Sequence, residues 1–128
     1  MKKKVLSIVL LAIFSLMMAS YINTDSAAVK QEKTAKITFI ELGSVRCIPC
    51  RKMEPVLTAI REKFPKDVKV IFHDVWTEKG RPYAKKYGIR SIPTQVFLDK
   101  EGKEYFRHIG FFPEEEVIKV LKKIGAKK

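Results

Sequence analysis

The order of apolar and polar residues predicts alternating strands and helices from residue 37 onward. Residues 37–42 form a short apolar run, typical of a buried strand, that only Glu41 interrupts. Residues 68–72 alternate between apolar and polar side chains, which predicts a second strand. Between them, apolar residues spaced three or four positions apart predict a helix that Pro65 ends: Met53, Val56, Leu57, Ile60 and Phe64.

The next part of the chain predicts a short helix and a β-hairpin. Residues 81–87 are typical of a helix that Gly88 stops. Residues 94–98 and 103–109 flank the turn sequence of residues 99–102, so we expect two antiparallel strands there.

A last helix is expected to begin with Pro113 at its first position and to end at Gly125. Phe111 and Phe112 are expected to pack its start against the core. Its buried stripe comprises Val117, Val120, Leu121 and Ile124. The predicted order is βαβαββα, an α/β fold with a mixed central sheet flanked by helices.

The first 28 residues are typical of an export signal. Three lysines at positions 2–4 precede an uncharged stretch at residues 5–22, and small polar residues follow. The stretch is long for a signal peptide and just reaches membrane-spanning length, so cleavage near Ala28 and retention as an N-terminal anchor both stay open. In either case the positive-inside rule predicts that residues 29–128 are periplasmic or otherwise extracytoplasmic.

The remaining residues, about 100, suffice for one domain with one core. The chain is basic, with 26 Lys+Arg against 14 Asp+Glu and a net charge of +12. Its lysines are spread along the sequence, and the motifs of RNA-binding modules are absent, so we expect a solvated basic face and no nucleic-acid partner. There is no internal repeat, and we expect a monomer.

Both cysteines of the chain lie in the sequence Cys47-Ile48-Pro49-Cys50. The apolar stripe that follows places Cys47 at a helix N-terminus, where unpaired backbone N–H groups favour a thiolate over a thiol. Two thiols at this spacing can close a disulfide and reopen it. The pattern therefore predicts a reactive dithiol.

Other uses of a CxxC pattern fit this chain less well. A structural zinc site needs four ligands, and only His73 and His108 are available, without ligand-like spacing. Haem attachment needs a histidine directly after the second cysteine, where Arg51 stands. A purely structural disulfide would close a very small loop and remove little unfolded-state entropy.

The element order, the CxxC placement and the run of residues 87–94, with Ile92-Pro93-Thr94, resemble the thioredoxin family over residues 35–125. The resemblance implies that Pro93 is a cis-proline beside the cysteines, and that Ile92 and Pro93 bind the substrate backbone. It also implies a redox-active Cys47–Cys50 disulfide, with Cys47 as the exposed attacking thiol and Cys50 as the buried resolving thiol.

Glu41 and Pro55 match the pattern of that family, and Arg46 departs from it. Glu41 falls where thioredoxins carry a buried acid, and desolvation there would disfavour its ionised form. A carboxyl of this kind can hold and pass a proton near pH 7, and the resemblance implies that it takes the proton from Cys50 when that thiol attacks the mixed disulfide. The alternative is that Glu41 points out of the sheet or is salt-bridged. Pro55 matches a helix-kinking proline. Arg46 stands where that family usually has tryptophan, before the first cysteine, and is assigned to substrate binding. Its charge either favours the Cys47 thiolate or is simply solvated. Trp76 either caps the active-site region or is partly buried under a loop.

The resemblance implies a thiol–disulfide reductase of exported proteins that needs no metal or organic cofactor. Pro49 and Ile92 match the reductants of this fold, and a reductant outside the cytoplasm implies a membrane-embedded electron donor. Cytochrome c maturation would be one such context. A disulfide oxidase or isomerase of the same fold, and a non-catalytic thioredoxin-like binding module, are the alternatives.

Overall fold

The computed structural model describes residues 35–128, so the predicted export signal at residues 1–28 lies outside the described part of the chain. Within these residues, four strands and four helices follow one another in the predicted order, with one predicted helix divided in two. In chain order they are β1 (Ile37–Gly43), α1 (Ile48–Arg51), α2 (Glu54–Lys63), β2 (Val68–Asp74), α3 (Arg81–Lys86), β3 (Thr94–Leu98), β4 (Glu104–Ile109) and α4 (Glu114–Lys123).

The strands form one mixed sheet in the order β2-β1-β3-β4. β1 runs parallel to β2 and antiparallel to β3, and β3 pairs with β4 as the predicted hairpin. Parallel neighbours require a crossover connection, which α1 and α2 supply. The predicted α/β fold with a mixed sheet is confirmed.

The two faces of the sheet bury different clusters. On one face, alternate residues of β1, Ile37 and Phe39, pack with the helical stripe of α2 and with Val117 and Leu121 of α4. The other face buries a smaller cluster that comprises Ile40, Leu42, Val75 and Val96. Because strand side chains alternate between faces, Glu41 belongs to the same face as Phe39, the face covered by α2.

Three details of the helices differ from the sequence prediction. The predicted CxxC helix is interrupted at residues 52–53, and Pro55 stands at the start of α2 rather than inside a continuous helix. An early position suits proline because its missing N–H would have no partner there. Pro113 is the N-cap residue of α4, not its first helical residue. Phe112 is buried as expected, whereas Phe111 is exposed.

Within residues 35–128, no helix is both long enough and apolar enough to cross a membrane.

Candidate redox site

The two cysteines are joined by a disulfide whose Cα atoms lie 5.2 Å apart, within the usual range for such bonds. Cys47 is the N-cap residue of α1, and its Sγ accepts a hydrogen bond from the backbone N–H of Cys50 at 3.3 Å. Pro49 lies in the first turn, where a missing N–H costs nothing. The predicted position of Cys47 at a helix N-terminus is confirmed.

The two cysteines do not differ in exposure as the resemblance implied. In the disulfide form Cys47 is 7% exposed and Cys50 is 5% exposed, so both are buried. Their surroundings differ instead. Sγ of Cys47 faces a backbone N–H donor, and Sγ of Cys50 lies on the side of Gly43 and Glu41.

Glu41 is fully buried, near the end of β1. Its residue partner on β3 is Gln95, whose Nε2 donates a hydrogen bond to Oε2 of Glu41 at 2.9 Å. Oε1 of Glu41 has no hydrogen-bond partner among residues 35–128. Desolvation raises the pKa of Glu41 to about 8. The hydrogen bond from Gln95 lowers this pKa, and the negative charge of Glu54 raises it slightly, but desolvation is the largest effect. The alternatives in which Glu41 points to solvent or forms a salt bridge are therefore excluded.

Gly43 lies next to both Glu41 and the disulfide. A β-carbon on Gly43 would lie 3.3 Å from Sγ of Cys50 and 3.4 Å from Oε1 of Glu41. The sulfur and the unpartnered oxygen thus both border one small space, which glycine leaves open. A proton can pass between two such groups through a single bridging water when the space is polar and large enough.

A cavity of about 420 Å³ opens beside Cys50. Its size is many times that of one water molecule, so solvent can reach the Cys50 side of the disulfide. The cavity is lined by Ser44, Val45, Cys50, Arg51, Glu54 and Phe72. Phe72 pairs with Glu41 across β1 and β2, which places the cavity wall next to the buried acid.

The Ile92–Pro93 peptide bond is cis, as the resemblance implied. Thr94, the first residue of β3, pairs with Leu42, so the cis-proline lies at the end of the sheet where β1 leads into the cysteine loop. Pro93 is buried, and its carbonyl accepts a hydrogen bond from the N–H of Gly110 at 2.8 Å. Ile92 is half-buried and packs against the smaller core cluster.

Arg46 and Trp76 come together beside Cys47. The guanidinium carbon of Arg46 lies 5.7 Å from the centroid of the Trp76 ring, within cation–π range. Trp76 is 48% exposed, so about half of its surface is covered in the described part of the chain.

Sequence reasoning missed three residues that shape this site: Gln95, Gly43 and Asp74. Gln95 directly follows Thr94, and a polar residue inside an apolar strand was the available signal. Gly43 gave no signal without the position of Cys50. Asp74 accepts hydrogen bonds from the N–H groups of Val45 and Trp76, at 3.2 and 3.0 Å, and so ties the cysteine loop to the loop after β2.

The two histidines considered as zinc ligands lie on different strands of the described chain. His73 stacks on Tyr83, and His108 stacks on Phe112. Residues 35–128 contain no group of three or more histidine, cysteine or acidic side chains arranged to hold a metal ion.

Comparison with known proteins gives a consistent result. A family model described as a thioredoxin-like domain matches residues 22–125. The chain is 31% identical over 97 residues to a thioredoxin of Listeria monocytogenes, covering 76% of this chain and 91% of that protein. It is 33% identical over 87 residues to a thioredoxin of Chlamydia trachomatis, covering 68% and 81%.

A solved structure agrees with these matches. The oxidised form of mitochondrial thioredoxin 3 from Saccharomyces cerevisiae superposes with a TM-score of 0.60 and 27% identity, over 72% of this chain and 82% of that one. The cysteine pair, the buried acid and the cis-proline agree with these matches. This protein therefore belongs to the thioredoxin-like family and is a thiol–disulfide oxidoreductase.

Proposed function

We propose that this protein reduces disulfide bonds of exported proteins. The observation that carries the proposal is the Cys47–Cys50 disulfide, formed at a helix start with Cys47 as the N-cap residue. Closing this bond yields two electrons, which a substrate disulfide accepts as it is reduced to two thiols.

The reaction begins with reduced protein. The thiolate of Cys47 attacks one sulfur of the substrate disulfide, a mixed disulfide forms, and the first substrate sulfur leaves as a thiolate. Cys50 then attacks Sγ of Cys47, the second substrate sulfur leaves, and the protein disulfide forms. The N–H of Cys50 that faces Sγ of Cys47 at 3.3 Å favours the attacking thiolate, because a hydrogen bond stabilises the charged form.

Glu41 accepts the proton that Cys50 must lose before it attacks. The carboxyl is buried, its Oε1 is unpartnered among the described residues, and it faces Sγ of Cys50 across the space at Gly43. Its pKa of about 8 suits a group that exchanges protons near neutral pH. The cavity beside Cys50 gives solvent a route by which the proton leaves.

The substrate chain lies against the cis-proline loop in this proposal. Ile92 and Pro93 are at the sheet end where β1 leads to the cysteines, and Arg46 directly precedes Cys47. We assign all three residues to substrate contact.

Location and electron supply complete the proposal. The lysines at positions 2–4 and the uncharged stretch after them support export, with the first 28 residues as a cleaved signal or a membrane anchor and residues 29–128 as the thioredoxin-like domain outside the cytoplasm. Reducing equivalents then come from a membrane-embedded donor. The clients are disulfide-containing exported proteins, such as those of cytochrome c assembly, and the protein acts as a monomer.

Reduction of insulin by dithiothreitol tests the activity. We expect the protein to accelerate the reaction, and we expect Cys47→Ser and Cys50→Ser each to abolish the acceleration. A variant at a distant exposed position, Lys100→Ala, serves as the control. If the protein did not accelerate the reaction, it would be a non-catalytic thioredoxin-like binding module.

A fusion to alkaline phosphatase after Lys30 tests the location, because that enzyme is active only outside the cytoplasm. We expect an active fusion. An inactive fusion together with full-length protein in the cytoplasmic fraction would contradict export.

A further inference from the structure

The surface beside Cys47 carries a cation held over an aromatic ring. Arg46 directly precedes Cys47, its guanidinium lies 5.7 Å from the Trp76 ring centroid, and both side chains are exposed. We refer to these two residues as the Arg46–Trp76 pair. The pair lies on two different loops, so its geometry depends on what holds those loops together.

Asp74 holds them. Its Oδ2 accepts a hydrogen bond from the N–H of Val45 at 3.2 Å, and its Oδ1 accepts one from the N–H of Trp76 at 3.0 Å. One carboxylate therefore anchors both Trp76 and the residue that precedes Arg46. The following turn is also fixed, because Thr77 donates its hydroxyl to the Asp74 carbonyl at 2.7 Å and accepts the Gly80 N–H at 3.0 Å. The loop that carries Trp76 is therefore pre-organised.

The cation of the pair is available to a ligand. No carboxylate lies within 4.0 Å of Arg46 in the part of the chain that the structure describes. Asp74 is close enough for its charge to interact with Arg46, but it forms no ion pair with Arg46 within 4.0 Å, and its oxygens accept the backbone N–H groups of Val45 and Trp76. A guanidinium that stacks on a ring keeps its edge N–H donors free, and these match a carboxylate in bidentate geometry.

Two exposed apolar residues lie close to this cation in the sequence. Val45 is 63% exposed and Ile48 is 65% exposed, and they flank Arg46 and Cys47 in the sequence. Arg51 and Glu54, which carry opposite charges, line the cavity on the Cys50 side. Apolar contact surface with a single oriented cation next to the reactive sulfur favours a peptide that places one acid near its cysteine.

We propose that the Arg46–Trp76 pair selects disulfides that have an aspartate or glutamate beside the target cysteine. Arg46 binds that carboxylate, while Val45 and Ile48 contact apolar residues of the client. Trp76 and Asp74 are positioning residues that keep the guanidinium beside Cys47. This inference rests on the proposed thiol–disulfide exchange and adds a substrate class to it.

The test uses three synthetic peptide disulfides that are identical except for glutamate, glutamine or lysine next to the target cysteine. The second-order rate of the reduced protein with each peptide is divided by the rate of dithiothreitol with the same peptide, which removes differences in intrinsic disulfide reactivity. We expect the glutamate peptide to react roughly two- to fivefold faster than the glutamine peptide, the range for an exposed ion pair. High salt should reduce the ratio towards one.

Variants separate recognition from an effect on the Cys47 thiolate. A change in thiolate reactivity alters all three rates alike, whereas lost recognition alters only their ratios. Arg46→Ala should bring the glutamate-to-glutamine ratio to one, and Arg46→Glu should favour the lysine peptide. Trp76→Ala should lower the ratio while Arg46 remains, and Lys100→Ala should leave it unchanged.

The outcomes distinguish the two proposals. Equal normalised rates for the three peptides with the wild-type protein, or a glutamate preference that persists in Arg46→Glu, would overturn the inference and leave the reductase proposal intact. If dithiothreitol reduced all three peptides and the protein reduced none, the proposed function itself would be contradicted.

Discussion

Glu41 and Gln95 face each other across the β1 and β3 strands, and Nε2 of Gln95 donates a hydrogen bond to Oε2 of Glu41 at 2.9 Å. The bond satisfies only half of the carboxyl, because Oε1 has no partner among residues 35–128. A carboxyl in this setting is costly to ionise, and its pKa is raised by burial to about 8. The same oxygen faces the space beside Sγ of Cys50.

The raised pKa makes stability depend on pH. The unfolded chain releases the Glu41 proton near its ordinary pKa of 4.5, whereas the folded chain keeps it until about pH 8. The folded state therefore binds more protons between these values, and stability falls as pH rises through this window. For the oxidised protein we expect a loss of about 4 kcal/mol from this group between about pH 5 and about pH 9, at about 1.4 kcal/mol per pKa unit.

Urea unfolding of oxidised wild type and Glu41→Gln at both pH values measures this loss. Glutamine does not titrate, so the difference in unfolding free energy between the two proteins should change with pH by the Glu41 contribution alone. Identical pH dependence in the two proteins would contradict a buried, protonated Glu41.

Glu54 and Gln95 should move the Glu41 pKa in opposite directions. Glu54→Gln removes a negative charge that raises it, so the pKa should fall slightly, whereas Gln95→Leu removes a hydrogen bond that lowers it, so the pKa should rise. The pH midpoint of mixed-disulfide resolution reports the shift. Glu62→Gln, an exposed acid of the same helix α2, is the matched control and should leave the midpoint in place.

Glu41→Ala should slow resolution of the mixed disulfide near neutral pH while leaving or raising stability, because a buried carboxyl with one oxygen unpartnered among the described residues is costly to fold around. Reduced protein mixed with a chromophoric aromatic disulfide releases one thiolate on attack by Cys47 and a second on resolution by Cys50. We expect the second release to slow at least several-fold and the first to change little. An unchanged second rate together with lower stability would show that Glu41 has only a structural role.

Gly43→Ala tests the space between the acid and the sulfur. The added β-carbon would lie 3.2 Å from Cβ and 3.3 Å from Sγ of Cys50, tighter than ordinary van der Waals contact, and would exclude a bridging water. We expect the second thiolate release to slow although Glu41 is still present. If resolution kept its wild-type rate, proton transfer through this space would be ruled out.

The two cysteines should differ in reactivity once the disulfide is reduced. Cys47 is the N-cap residue of α1, whereas Cys50 lies one turn further along the chain, next to the buried acid. Brief alkylation followed by peptide mass analysis should therefore label Cys47 well before Cys50. Equal labelling, or faster labelling of Cys50, would reverse the assigned roles.

The sequence predicted those features that depend on local periodicity or on short motifs. The stripe of α2 is buried as its spacing indicated, and the hairpin forms around residues 99–102 because turn residues separate two apolar runs. Cys47 stands at a helix start because the stripe begins just after it. The resemblance contributed the cis bond before Pro93, which no local pattern indicates.

Features that depend on pairing across the sheet could not be predicted. Gln95 reaches Glu41 over 54 positions of sequence, and Asp74 reaches Val45 over 29. These contacts follow from strand register, which a single sequence does not specify at this level. The near-equal burial of Cys47 and Cys50 depends in the same way on the tertiary packing around the disulfide.

The direction of electron flow is tested most directly by the reduction potential of the Cys47–Cys50 pair, measured by equilibration with glutathione buffers and mass-resolved alkylation. Pro49 before the second cysteine and Ile92 before the cis-proline match the reductants of this fold. A Cys47 thiolate stabilised by the charge of Arg46 would instead raise the potential. We expect a potential nearer to the value of thioredoxin, about −270 mV, than to the value of a strong disulfide oxidant, about −120 mV. The disulfide should then persist in mildly reducing glutathione buffers, and its complete reduction in such buffers would contradict the assignment as a reductase.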